Sequence, residues 1–357
     1  MSPLAGIGCA LAVVLASWAV TWAVRRDAIR RRVLDHPNER SSHDVPTPRG
    51  GGVAIVVVAV AAEAMLWAAG RLSRETALAL AAGGVAVAAI GWLDDHGGVS
   101  AKARAAVHFA AAAWALFWLG GLPALRYGTG SVPLGIAGTV LAAFGIVWST
   151  NLYNFMDGID GIAGAEAVTC GLFGGLLLLA TGERGLAGAA FALAAASAGF
   201  LAWNWHPARI FMGDAGACFL GFTFAVLAVA AERAGSVPLL AWMVLLGVFV
   251  FDATATLVRR ARRGERWHQA HRSHAYQRAA PTRAHHARVS AAVAGVNVSL
   301  ASLASLGTFR PGWLLPAAGA ATLLLATLYV GVERRRPMYA RSSGPDLPGS
   351  TLAPRAR

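Results

Sequence analysis
Residues 133–161 read PLGIAGTVLAAFGIVWSTNLYNFMDGIDG. The first part is an apolar run long enough to cross a hydrocarbon core, which takes about 20 helical residues. The last part sets Asn151, Asn154, Asp157 and Asp160 three apart. Ionisable and amide side chains crowded at the end of an apolar span are costly, and such groups usually mark function. This one stretch therefore reads as a membrane helix that delivers a polar site to the membrane edge.

The rest of the chain repeats the pattern. Its 357 residues are 56% hydrophobic and 14% charged, with a mean hydropathy of +0.54, which excludes an ordinary soluble domain. Windows of about 19 residues mark apolar segments near 4–24, 50–70, 77–93, 105–122, 133–153, 161–180, 185–203, 216–231, 238–257, 289–308 and 312–332. The expected fold is an all-α polytopic membrane protein of about eleven transmembrane helices. The first segment has no basic residue before it and is followed by RRDAIRRR rather than small residues, so an uncleaved helix is expected. Residues 1–336 read as one membrane domain, and 337–357, rich in Pro, Ser and Arg, as a disordered tail.

Of the 31 Lys and Arg residues, 25 fall in alternate connections (25–49, 94–104, 204–215, 258–288 and 333–357). Basic residues are retained on the cytoplasmic side, so the N-terminus is expected outside and the C-terminus inside. The net charge of +13 then reflects these loops, which would meet anionic lipid and anionic substrates; no nucleic-acid module is indicated. Cys9, Cys170 and Cys218 show no CxxC spacing, which argues against a disulfide framework or a structural zinc site.

Every polar cluster falls on the same expected face. In LDHPNERSSHDVPTPRGGG, prolines stiffen the loop, and Gly50, Gly51 and Gly52 would let backbone amides approach a phosphate; a helix-capping turn is the other reading. In GWLDDHGGVSAKAR, the adjacent Asp94 and Asp95 call for a cation: either a divalent metal, or Lys102 or Arg104 at a solvated turn. In NLYNFMDGIDG, Gly158 and Gly161 favour a broken segment that keeps groups three apart aligned, suiting a cation or a nucleotide. Asp214 stands between Gly213 and Gly216 in FMGDAG, open to a metal or simply a turn aspartate. Asp252 lies inside an apolar span, where it either lines the site or pairs with a neighbouring helix. The 258–288 loop gathers His268, His271, His274, His285 and His286 among nine arginines, a mixture better suited to anions than to zinc; a plain basic topology signal is the other reading. Jointly these are the parts of phosphoryl transfer: carboxylates for Mg²⁺, glycines, and His and Arg for phosphate. No GxxxxGK[ST] is present, so ATP is not expected to drive the reaction.

The ordered motifs VPTPRGGG, GWLDDHGG, NLYNFMDGIDG, FMGDAG and HRSHAYQ, between residue 35 and about 290, resemble the polyprenyl-phosphate N-acetylhexosamine-1-phosphate transferase family. The resemblance implies transfer of N-acetylhexosamine-1-phosphate from a UDP-sugar to undecaprenyl phosphate, with release of UMP, at the cytoplasmic face of a bacterial inner membrane. It implies Mg²⁺, with Mn²⁺ as a substitute. Asp94, Asp95, Asp157 and Asp160 match its catalytic positions, and Asp95 and Asp214 its metal-binding ones. Asn151, Asn154, His271, Arg272, His274 and Arg49 match substrate-binding positions, and a homodimer follows by analogy. HRSHAYQ departs from the consecutive histidines of the pentapeptide translocases and from DRxHLHH, and looks like the branch that starts O-antigen or similar surface glycans. UDP-GlcNAc, UDP-FucNAc and UDP-QuiNAc stay open as donors. Two rival classes are a secondary transporter, whose charges belong near the midplane, and a CDP-alcohol phosphotransferase, whose DGxxAR start is missing here.

Overall fold
The computed structural model describes residues 3–37, 45–265 and 271–339. The expected tail beyond Tyr339, His268 and the central part of the first loop lie outside these residues. The helices are α1 (Pro3–Arg30), α2 (Val53–Ala68), α3 (Arg74–Gly97), α4 (Ala101–Leu119), α5 (Gly135–Met156), α6 (Ile162–Ala180) and α7 (Arg184–Asn204). They continue as α8 (Asp214–Arg233), α9 (Leu239–Leu245), α10 (Gly247–Arg262), α11 (Ala275–Ala279), α12 (His286–Phe309) and α13 (Leu314–Arg335). Two short antiparallel ribbons, β1 (Leu34–Asp35) with β2 (Thr47–Pro48) and β3 (Ala124–Arg126) with β4 (Ser131–Pro133), sit in connections.

The chain is an all-α membrane protein, and each of the eleven apolar segments is helical. Among the described residues eight helices are long and apolar enough to cross a bilayer, and nine if α9 and α10, bent by 82° at their junction, form one span. The difference from eleven is one of length and polarity. At 16 residues α2 is short, and α4 carries Lys102 and Arg104 in its first turn. Large apolar side chains such as Ile136, Phe117 and Leu323 lie exposed, which suits a hydrocarbon surround that leaves every backbone group to be satisfied within helices.

The bundle is built around α8, whose side chains are almost all buried. Small residues allow this. A Cβ on Gly83 or Gly84 of α3 would run into Phe222 or Phe219 of α8, and one on Gly221 would strike the backbone of α5. Close backbone approach through small residues is how helices associate where lipid is as apolar as leucine. The buried Glu166 of α6 accepts from Asn297 of α12 at 2.7 Å. Gly91 of α3 faces the backbone of Asp214 and Ala215 at 2.7–2.8 Å from a built Cβ, so the end of α3 is seated against the start of α8. That contact positions the site.

Candidate active site
A carboxylate at a helix C-terminus opposes the helix dipole, so Asp94 and Asp95, in the last turn of α3, need compensating partners. Asp95, with its side chain 1% exposed, finds two kinds. Its Oδ1 lies 2.7 Å from Arg49 Nη2 and accepts the Asp214 N–H at 3.1 Å, while Oδ2 accepts the Ala215 N–H at 3.4 Å. The amides are orphan donors of the first turn of α8, so Asp95 caps a helix 119 positions downstream. Gly213, with φ of 78°, makes room: a Cβ there would stand 2.5 Å from Asp95 Oδ2.

Asp214 accepts from Arg49 Nη2 at 2.9 Å and has Arg104 at 3.7 Å. Asp94 pairs closely with Arg104 and accepts the Val99 N–H at 2.6 Å. Arg104, the non-metal partner considered for this motif, is therefore the ion-pair partner of Asp94. Burial works against the charge on Arg49, but Asp95 and Asp214 outweigh it and raise its pKa. Three carboxylates share two guanidinium groups at the meeting point of α3, α4, α8 and the loop before α2.

The 151–161 stretch is divided by the structure. Helix α5 ends at Met156, Asp157 is its C-cap, and Gly161, with φ of 79°, starts α6. The expectation that the four polar residues stay aligned is corrected: the break sends them in different directions. Asn151 binds the Val147 carbonyl at 2.7 Å and lies 3.4 Å from His108 of α4, while Asn154 sits half-buried in the last turn of α5. Among the described residues the Asp157 side chain forms no hydrogen bond or ion pair. Its pKa is pushed up to about 7, first by burial and then by the charges of Asp214, Asp95 and Asp160, with Arg49 opposing.

Asp160 faces the other way, buried among bases. It lies 2.7 Å from His206 Nδ1, 3.4 Å from His286 Nδ1 and 3.5 Å from Arg283 Nε, and it accepts the Ala208 N–H at 3.1 Å. These partners overcome burial and hold its pKa well below the usual carboxylate range. Asp160, His206 and His286 have ligand-type atoms within 4.8 Å of one another. With Arg283 beside the same oxygen, the group is an internally neutralised cluster that ties α6, the 205–209 turn and α12 together. His206 was not singled out in the sequence; an adjacent proline in WNWHP was its one local signal.

Two further expectations change. The amides of Gly51 and Gly52 donate to the Phe211 and Met212 carbonyls at 2.9 Å each, so they face the FMGDAG loop and not an incoming phosphate. A Cβ on Gly52 would meet the Gly216 backbone at 2.5 Å, so these glycines serve loop packing. In the HRSHAYQ turn, Arg272 is exposed and His271 half-buried, but His274 is 1% exposed and its ring faces Asp252. Burial, with His274 and Arg260 adding and Asp252 opposing, lowers the His271 pKa to about 4.

Residues 77–232 match the family described as Glycosyl transferase family 4. A probable undecaprenyl-phosphate N-acetylglucosaminyl 1-phosphate transferase of Bacillus subtilis is 30% identical over 250 residues, covering 68% of each chain. A decaprenyl-phosphate N-acetylglucosaminephosphotransferase of Mycobacterium tuberculosis is 28% identical over 380 aligned residues, covering 96% of this chain and 92% of the relative. A phospho-N-acetylmuramoyl-pentapeptide-transferase of Synechococcus elongatus is 30% identical, covering 71% of each chain. Similarity of this extent, together with a carboxylate and arginine cluster gathered at one end of an α-helical membrane bundle, shows that the chain belongs to glycosyl transferase family 4, the polyprenyl-phosphate hexosamine-1-phosphate transferases.

Proposed function
We propose that this protein transfers N-acetylhexosamine-1-phosphate from a UDP-sugar to undecaprenyl phosphate and releases UMP, as the first membrane step of a surface glycan such as an O-antigen. The observation that carries this reading is the convergence of Asp94, Asp95, Asp157 and Asp214 with Arg49 and Arg104 at one end of the bundle. A soluble nucleotide and a lipid phosphate can meet only at such a membrane edge. The excess of basic residues in the connections at that end supports a cytoplasmic site with the N-terminus outside, and a bacterial inner membrane is part of the same proposal.

The donor set fits a hard divalent cation, Mg²⁺ or Mn²⁺, because carboxylate oxygens are its natural ligands. Among the described residues the Asp157 side chain forms no hydrogen bond or ion pair, and Asp214 adjoins it electrostatically, so these two are the residues that would hold the ion. Asp95 was expected among the metal ligands. Its oxygens already serve Arg49 and the α8 amides, which gives it the role of orienting Asp214. When bound, the ion would neutralise charge on the donor diphosphate.

In the reaction a lipid-phosphate oxygen attacks the sugar-bearing phosphorus. One P–O bond forms, the bond to the bridging oxygen breaks, and UMP leaves with that oxygen. A phosphoanhydride is lost and another made, so no ATP is needed. The acceptor is already ionised at neutral pH, so direct attack is favoured over an aspartyl-phosphate route, and the protein supplies position and charge. Asn154, His271 and Arg272 are assigned to the donor, with Arg272 offering a planar fork to phosphate. Purified protein given undecaprenyl phosphate, Mg²⁺ and each of UDP-GlcNAc, UDP-GalNAc, UDP-FucNAc and UDP-QuiNAc should release UMP with a preferred donor. Release should stop with a chelator or without lipid. No release with any donor would return a transporter or a CDP-dependent phosphotransferase to consideration.

A further inference from the structure
Asp252 takes no part in the cluster above, yet it is a buried carboxylate, 6% exposed, with a full set of partners. Its Oδ1 accepts the Ala275 N–H at 2.8 Å and the Thr256 hydroxyl at 3.0 Å; its Oδ2 accepts the Tyr276 N–H at 2.9 Å. The His274 ring lies 3.6 Å from Oδ1. Ala275 and Tyr276 open α11, so their amides have no partner within that helix. At five residues, α11 is far too short to hold itself together and depends on whatever anchors it. The anchor is the carboxylate of a membrane helix.

The other side of α11 is seated on the 151–161 stretch. The Tyr276 hydroxyl donates to the Phe155 carbonyl at 3.0 Å, two residues before Asp157. A Cβ on Gly158 would overlap that hydroxyl and lie 2.9 Å from Gln277 Nε2, so the glycine after Asp157 is where α11 docks. Immediately before α11, Ser273 is held through its hydroxyl by Arg260 at 3.3 Å and through its carbonyl by Arg278 at 3.1 Å. Asp252 is thus connected in one direction to the turn carrying His271 and Arg272, and in the other to the backbone carrying Asp157. Both its oxygens are occupied by protein donors, which leaves it no direct contact with substrate.

We propose that Asp252 is a positioning residue for the nucleotide-sugar donor, acting through α11 to set His271 and Arg272 against Asp157. This rests on the reading of His271 and Arg272 as donor-binding. Asp252→Asn keeps the volume but turns an amide NH₂ toward one of the two N–H groups, so half of the cap is lost. The expected result is a rise of about ten-fold or more in KM for the UDP-sugar, with KM for undecaprenyl phosphate changed by less than about two-fold. The amides of residues 274–280 should also exchange with deuterium about ten-fold faster, a readout that needs no substrate. An unchanged donor KM, an equal rise for both substrates, or unaltered exchange would each overturn the proposal. Should Asp252→Asn fail to insert, Tyr276→Phe removes one hydroxyl at the far side of the same link and should raise donor KM about three-fold; no change there overturns it as well. If the wild-type protein releases no UMP from any donor, the functional reading fails, and the exchange comparison alone still decides whether Asp252 holds α11.

Discussion

The two ends of the bundle use the same residue types to opposite effect. At one end Glu232, the penultimate residue of α8, accepts from the Arg126 amide at 2.7 Å, its Nε at 3.2 Å and its Nη2 at 3.3 Å, and from the Leu239 amide at 2.7 Å. Arg126 Nη1 completes the set by donating to the carbonyls of Gly235 and Ser236 at 2.7 and 3.2 Å. One carboxylate meets one guanidinium and the surrounding backbone, and no demand is left over. At the other end of the same helix, Asp214, Asp94 and Asp95 divide two guanidinium groups, and Asp157 has no partner among the described residues. A saturated pair joins the β3–β4 connection to the start of α9. The other cluster holds more carboxylates than guanidinium groups, and the proposed cation site rests on that surplus.

The largest effect should come from Asp214→Asn, which removes charge from the unsaturated end. UMP release is expected to fall by about 10³-fold or more with membrane insertion and melting temperature retained. Glu232→Gln should do the reverse, lowering stability by about 1–3 kcal/mol in a thermal melt while activity per folded molecule stays within about two-fold. Equal activity losses in both variants would erase the distinction between the ends.

Glycines extend the comparison. Gly213 and Gly235 both have positive φ, at 78° and 69°, but only Gly213 has a carboxylate where a Cβ would go. Gly235→Ala should therefore cost about 1 kcal/mol of backbone strain and little else. Gly213→Ala should cost more and also reduce kcat by about ten-fold or more by displacing Asp95.

Titration separates Asp157 from Asp160. The Asp157 pKa is raised to about 7, so its contribution to stability is full below the unfolded value near 3.8 and is lost as pH rises through about 7. In chelator, the melting temperature should gain a component on acidification from pH 8 to 6 that Asp157→Asn removes. Mg²⁺ binding should weaken over the same interval as the proton competes. Asp160, whose pKa is lowered, contributes stability above the unfolded value, and loses it only in strong acid, so it should add nothing to the change between pH 8 and 6. Arg272→Lys keeps the charge but loses the fork and should raise donor KM by a modest factor of about five.

Much of the architecture was legible because its cause is local. Apolar runs such as 133–153 and 216–231 must be helical in lipid, and the parity of their connections carries DDHGG, DGIDG, GDAG and HRSH to one end. The roles of individual carboxylates were not legible, because their cause is a contact made at long range. Asp95 resembles its neighbour Asp94 in sequence, yet only Asp95 caps α8. The spacing of three in 151–161 promised alignment, but α5 stops at Met156, and the change of backbone direction turns Asp160 toward His206, Arg283 and His286. Gly51 and Gly52 resemble a phosphate cradle until Phe211 and Met212 are seen to take their amides.

By itself the sequence determined a helical membrane protein with its chemistry at the ends of its spans, since an unsatisfied backbone in hydrocarbon costs several kcal/mol and leaves a linear chain few alternatives. Only the tertiary structure decided which acidic groups stay unsatisfied. That depends on which donors from distant helices reach each oxygen: the amides of α8 and Arg49 occupy Asp95, His206, His286 and Arg283 occupy Asp160, and Asp157 remains unpaired among the described residues.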